Sequence, residues 1–233
     1  MQPFLPRTAL VVGVGSGLGA ALARRLARAG VRLILAARDI GKLEALCAET
    51  GAEAVSCDAS DPAMVEVLFR TVDERLGELD LCIYNAGLRL QGRLVDLDHA
   101  GARRAIEICA LGGFLVGQAA ARRMLPRRRG CLLFTGATAS LKGFPRSAAF
   151  AMGKFALRGL CQSMARELHP EGIHVVHVVL DGAIRTPAHG EREAASDSLL
   201  DPAAVAEVYW QLATQDRSAW TDEIVLRPWL EPF

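Results

Sequence analysis

Val11-Val12-Gly13-Val14-Gly15-Ser16-Gly17-Leu18-Gly19 is the stretch whose reading decides the fold. It follows a short apolar run from Ala9 and opens a helical pattern rich in alanine and leucine, Ala20 to Ala29. Strand, glycine turn and helix in that order make a cradle for nucleotide phosphates. Gly13 lets the chain leave the strand sharply, and Gly17 omits a side chain where a pyrophosphate approaches. Gly19 lets the helix lie close on the sheet. Gly15, Ser16 and Leu18 complete the turn, whose free N–H groups and helix dipole face the anion. Glycine turns also serve plain chain reversal, so it is the flanking strand and helix that make this one specific.

Outward from the turn, strand and helix patterns alternate along the chain. Strands are expected over 8–12, 31–37, 54–57, 79–84, 130–135, 173–180 and 223–226. Helices are expected over 18–30, 40–50, 61–76, 98–125, 146–168 and 201–214, with Pro62 and Pro202 at tolerated first positions and Gly30 as a C-cap. Run 173–180 is continuously apolar, as a strand covered on both faces should be. The expectation is a single-domain, Rossmann-type doubly wound parallel sheet of about seven strands, with helices on both faces.

The bulk properties agree with one α/β domain. The chain has 233 residues, 51% apolar, 23% charged and 6% aromatic, enough for one substantial core. A net charge of +1 gives no field to recruit nucleic acid or an anionic membrane. The densest basic cluster, Arg122, Arg123, Arg127, Arg128 and Arg129, lies at a helix end and complements its dipole. Six scattered cysteines form no C-x-x-C pair, so disulfides and a metal site are not expected and a reducing compartment is. Residues 1–7 carry two prolines and no apolar signal core, and no uninterrupted apolar run reaches membrane-spanning length. A cytoplasmic location is the expectation.

Ligands of such sheets bind at the carboxyl ends of the strands. After the second strand, Ala37 stands where a ribose-binding carboxylate is usual and Arg38 follows it, a pattern that suits a 2′-phosphate and so NADP(H) over NAD(H). The plainer reading makes Arg38 a loop cation and Asp39 a helix cap. Asp58 after the third strand is placed near an adenine ring or in a turn. Asn85-Ala86-Gly87 after the fourth strand is small enough for a ribose to pass.

With these motifs the chain resembles the short-chain dehydrogenase/reductase family over nearly its full length. The resemblance rests on Gly13…Gly17-Leu18-Gly19, Cys57-Asp58, Asn85-Ala86-Gly87, the segment Ala148 to Leu160, and Leu180-Asp181-Gly182-Ala183-Ile184-Arg185-Thr186-Pro187. It implies hydride transfer between a nicotinamide and a carbonyl or alcohol. It also implies a lysine on the nicotinamide ribose, here Lys154, and Ala183, Ile184 and Thr186 against the nicotinamide. The family's tyrosine acid falls on Phe150, its serine on Ala137 and its proton-relay asparagine on Cys109, so three of four functional groups are replaced. Relatives without the tyrosine reduce conjugated double bonds.

Asp181 is then the first substitute acid, if partial desolvation keeps its carboxyl protonated; a local turn hydrogen bond is its plainer role. Thr138 and Ser140 offer hydroxyls beside Ala137. Lys142 and Arg146 read as surface charges, and His174 and His177 as packed strand histidines. His189 lies in the polar segment 188–198, within a substrate-covering loop at about 186–200. Two functions are open: an NADP(H)-dependent oxidoreductase with a non-standard proton donor acting on a small molecule, or a cofactor-binding redox sensor or scaffold without turnover. The resemblance further implies a homodimer or homotetramer packed through the two long helices, with 220–233 as a second interface or a cover for its own sheet edge.

Overall fold

The protein is described by a computed structural model over residues 4–186 and 197–230. Seven parallel strands form one sheet in the order β3-β2-β1-β4-β5-β6-β7. They are β1 (Thr8–Val12), β2 (Arg32–Ala37), β3 (Glu53–Ser56), β4 (Leu81–Tyr84), β5 (Gly130–Thr135), β6 (Ile173–Leu180) and β7 (Glu223–Leu226). The order reverses between β1 and β4, which opens a crevice at their carboxyl ends.

Helices cover both faces. On one lie α1 (Leu18–Arg28), α2 (Glu44–Thr50) and α7 (Pro202–Ala213), packed over Val11, Leu35 and Val178. On the other lie α3 (Pro62–Leu76), α5 (Gly112–Met124) and α6 (Ala148–Leu168), packed over Leu10, Ile34, Phe134 and Val175. Strand residues alternate between the two cores, which is why β1, β4, β5 and β6 are buried along their whole length. Asp61 and Asp201 cap α3 and α7 by accepting from Ala63 and Ala203, with proline next in each. The six cysteines are free, and burial pushes the Cys57 thiol up to about 11.

The helix expected over 98–125 is broken. It consists of α4 (His99–Ile106), a π-turn over Glu107–Leu111, and α5. The buried Tyr84 hydroxyl donates to the Ile108 carbonyl, drawing that group out of the helical ladder. Gly112 follows because an added Cβ there would overlap the Tyr84 hydroxyl. By length and hydropathy alone the run 99–127 compares with a membrane span, but charged residues such as Glu107 and Arg122 interrupt it, and 50% of its most apolar part is buried inside this fold.

Candidate active site

The glycine turn is built by strain and close approach. Gly13 sits at φ +86°, and an added Cβ would fall 2.5 Å from the Ala86 Cα. The N–H groups of Gly13 and Val14 both donate to the Ala36 carbonyl, at 2.9 and 3.2 Å. Asn85 clasps the turn from the other side: its N–H donates to Val12 at 2.8 Å and its Nδ2 to the Gly13 carbonyl at 2.9 Å. Asn85 is therefore a clasp for the turn, a role its small neighbours did not announce. Gly19 differs from expectation too. Its close neighbour is Val14 in the turn, 2.8 Å from an added Cβ, and not the sheet.

Helix α1 begins with no side-chain cap and no acidic residue in its first turn, so its leading N–H groups have no anionic side chain to satisfy them. Gly15 has no atom within 4 Å of an added Cβ, and Gly17 meets only Thr186, at 3.7 Å. These residues, with Leu18, Asn85, Gly87, Ala183 and Ile184, line a cavity of about 1040 Å³. A second cavity of about 530 Å³, sharing Gly13, Gly15, Asn85 and Gly87, contains Ser16, Arg38, Asp58 and Ala86. The Arg38 side chain is exposed and, among the described residues, has no hydrogen-bond or ion-pair partner. Lys42 in the same cavity is paired with Asp39 at 2.9 Å. Asp58 is half-buried and held by Ser60 and Arg104; burial would raise its pKa, but those hydrogen bonds outweigh it and hold the carboxyl below its usual value. A turn glycine that cannot carry a Cβ and an uncapped helix start fit a dinucleotide, and an exposed arginine stands at the end of β2.

The other end of the large cavity is lined by Thr135, Gly136, Ala137, Thr138, Phe144, Ser147, Phe150, Lys154 and Asp181. Lys154 is 4% exposed, far from a solvated helix lysine, and its Nζ donates to the Thr135 carbonyl at 2.7 Å. Burial lowers its pKa from the usual lysine value. The Phe150 ring lies 5.8 Å from Nζ. Cys109 is buried in the π-turn, with its Sγ 3.9 Å from the Leu88 carbonyl.

Asp181 overturns its expectation as a protonated acid. It is 3% exposed, but Arg227 Nε reaches its Oδ2 at 2.9 Å and Nη2 joins the same oxygen. Burial pushes the carboxyl up, while the Thr138 hydroxyl and the Arg227 guanidinium push harder the other way, so it stays ionised below the usual carboxylate range. Of the two hydroxyls, Ser140 is fully buried away from the cavity lining, with its Oγ accepting from the Ala137 N–H at 3.1 Å, whereas Thr138 lines the cavity. His174 stacks on Trp220, and His177 Nδ1 meets Glu223 at 2.9 Å, so both are packed histidines. His189 lies outside the described residues.

Arg227 was missed, although the register carries its signal. Leu180 pairs with Leu226, so the next residues, Asp181 and Arg227, emerge side by side from β6 and β7. The stretch expected as an interface thus supplies an inward-facing cation.

Sequence comparison places this nucleotide-binding α/β chain in a class. The short chain dehydrogenase family profile matches residues 7–197. The chain belongs to the short-chain dehydrogenase family. A short chain aldehyde dehydrogenase of Euphorbia lathyris is 30% identical over 175 residues, 72% of this chain and 61% of that protein, so the chain spans about three-fifths of that relative. The sepiapterin reductase of Chlorobaculum tepidum is 30% identical over 232 residues, 94% of this chain and 95% of that one. Among solved structures, a short-chain dehydrogenase from Rhodopseudomonas palustris is 36% identical, with a TM-score of 0.84 over 95% of this chain and 98% of that one. A metagenomic short-chain oxidoreductase in complex with NADP is 29% identical, also at 0.84, covering 97% and 99%.

Proposed function

We propose that the chain is an NADP(H)-dependent oxidoreductase whose reaction end lacks the family's tyrosine and serine, and that it reduces a double bond conjugated to a carbonyl. The observation that carries this reading is the contrast between buried Lys154 and the carbon-only surfaces of Phe150 and Ala137 in one cavity. A bound nicotinamide supplies hydride. Polarising a carbonyl for that hydride needs a donor within hydrogen-bond reach, and general acids and preorganised donors are each worth ~10²–10⁴-fold. On the resemblance, Phe150 and Ala137 stand at those two positions and offer none.

An activated alkene accepts hydride at carbon and needs its proton later. Lys154 is the buried acid beside Phe150. Its Nζ holds one hydrogen bond to Thr135 and has further protons, and its lowered pKa makes it readier to release one near neutrality. Arg38, unpaired at the end of β2, is the ligand for a 2′-phosphate. The test is NADPH loss, followed optically, with matched enals, enones, aldehydes and ketones. Turnover confined to the conjugated alkenes, and lost in Lys154→Met, is the expected result.

A second reading, a cofactor-binding protein without turnover, is favoured by the engagement of Asp181 with Arg227, which keeps the carboxyl ionised. Tight NADPH binding with no loss of NADPH across the panel would select it. A homodimer or homotetramer remains part of the proposal. Leu111 at the end of the π-turn, Phe114 on α5, and Met152 and Phe155 on α6 are 42%, 42%, 59% and 44% exposed, apolar surface of the kind helices bury between subunits. Light scattering tests it.

A further inference from the structure

The mouth of the large cavity is charged on one side only. Among its described lining residues the cations are Arg89, Lys142 and Lys154, and the only anion is Asp181, which Arg227 neutralises. Arg89 is exposed and, among the described residues, has no hydrogen-bond or ion-pair partner. Lys142 is exposed and makes no close ion pair there, although its charge helps to hold the Asp181 carboxyl low; its ammonium lies 5.5 Å from the Phe144 ring. Surface arginines such as Arg24, Arg103, Arg123 and Arg128 are matched with carboxylates, while Arg70, Arg122 and Arg166 are exposed without an ion pair among the described residues. What sets Arg89 and Lys142 apart is that both line one cavity.

The mouth is also a built surface. The segment after β4 that bears Arg89 and Gln91 is clipped to the loop after β5 by the Gly92 N–H donating to the Arg146 carbonyl at 3.0 Å. Arg146 holds that position at φ +66°, a left-handed conformation that costs about 1 kcal/mol or more for such a residue. Ser147 Oγ donates to the Phe144 carbonyl at 2.9 Å and locks the loop from below. The clip brings Arg89 and Gln91 to one rim with Lys142, above the apolar walls of Phe144, Pro145 and Phe150.

We infer that Arg89, Gln91 and Lys142 form an anion-recognition rim. The substrate accordingly carries a carboxylate or a phosphate at the end remote from the carbon that accepts hydride, with an apolar stretch between them against Phe144 and Phe150. Lys142 is thus more than the surface charge its sequence context conveyed. The guanidinium and the ammonium supply charge-assisted hydrogen bonds, and the Gln91 amide adds neutral donors.

This inference rests on the cavity being the reaction site, so the test separates the two. Calorimetry on protein saturated with NADP+, which carries no hydride to transfer, would compare three probes: 4-carboxycinnamaldehyde, its methyl ester, and the cinnamaldehyde bearing a 4-phosphate. At least one charged probe is expected to bind ten-fold or more tighter than the ester, and carboxylate against phosphate names the group. The Arg89→Gln/Lys142→Gln double variant should reduce that preference to under three-fold while binding NADPH as before. Equal binding of ester and charged probes, or a preference that survives in the double variant, overturns the rim. Failure of NADPH itself to bind would strike the oxidoreductase reading, and the same three titrations on the cofactor-free protein would still decide the rim.

Discussion

The two ends of the large cavity are made from the carboxyl ends of the same sheet, yet they handle polar groups in opposite ways. At the glycine turn, polar groups stay open: α1 starts uncapped, and the Arg38 guanidinium is unpaired among the described residues. At the Phe150 end, the charged groups already have protein partners: Arg227 on Asp181, and Lys154 on the Thr135 carbonyl. Open donors are what an incoming anion requires, because they exchange water for the ligand without first breaking a protein hydrogen bond. Donors that already have partners must share them, as Lys154 can, since its Nζ keeps further protons beside its bond to Thr135. The first end is open to an anion, and the second holds its charged groups on the protein.

The strongest way to break this contrast is to open the second end. Phe150→Tyr with Ala137→Ser restores a phenol and a hydroxyl within the cavity that already holds Lys154. Carbonyl reduction with NADPH should rise ~10²–10⁴-fold over the parent. If the double variant gains nothing while still binding NADPH, the missing hydroxyls are not what separates the two ends.

Much of the fold was legible because its signals are local. Strands 8–12, 130–135, 173–180 and 223–226 stand where the apolar runs put them. Strand β4 starts at Leu81 and not at 79, because the Asp80 N–H donates to the Thr8 hydroxyl at 3.0 Å and not into the ladder. The π-turn was illegible, since its cause is a hydroxyl on Tyr84, 24 residues away from Ile108. The same holds for the site. Gly13 and Lys154 could be read from spacing, but the fate of Asp181 was decided by Arg227, 46 residues on, whose approach only the β6–β7 register reveals.

The next perturbation closes the first end. Gly13→Ala must place a methyl against the Ala86 backbone at a left-handed φ. Strain and overlap together should cost about 2–4 kcal/mol of stability and lower NADPH affinity by at least ~100-fold in protein that still folds. Thermal melting and nicotinamide fluorescence read the two effects separately. A folded variant that binds NADPH normally would show that the turn is only a chain reversal.

A pH titration sharpens the contrast by moving the scaffold without the site. His174, at the amino end of β6, is buried, and burial lowers its pKa from 6.5 to about 4. The folded protein keeps the ring neutral, whereas the unfolded chain takes up the proton below 6.5. Stability is therefore complete above pH 6.5 and falls progressively toward pH 4, by on the order of 3 kcal/mol. His177, also lowered by burial, acts in the same direction. His174→Asn should flatten that slope in denaturant titrations and leave NADPH affinity unaltered, because the ring stacks on Trp220 and lines neither cavity. A slope that persists near pH 6 in the variant, above the range where the lowered carboxylates titrate, would assign the effect to His177.

The smallest expected effect falls on the residue that most directly expresses an open end. Arg38 is exposed, so water and salt screen it and its contact with a phosphate is worth about 1.5–3 kcal/mol at most. Arg38→Gln should weaken NADPH by ~10–100-fold and leave NADH within ~3-fold, since only the 2′-phosphate distinguishes the two. The neighbouring Lys42→Gln is the contrast: its ammonium is already bound to Asp39, and its loss should change the NADPH-to-NADH ratio by less than ~3-fold. Raising the salt should erode NADPH binding in the parent and do little in Arg38→Gln, because the charge that salt screens is then gone. If Lys42→Gln reproduces the loss, the ion pair opens on binding and the phosphate is held by both cations. If neither variant changes the ratio, Arg38 is an ordinary loop cation, and preference between the two dinucleotides is set elsewhere in the crevice.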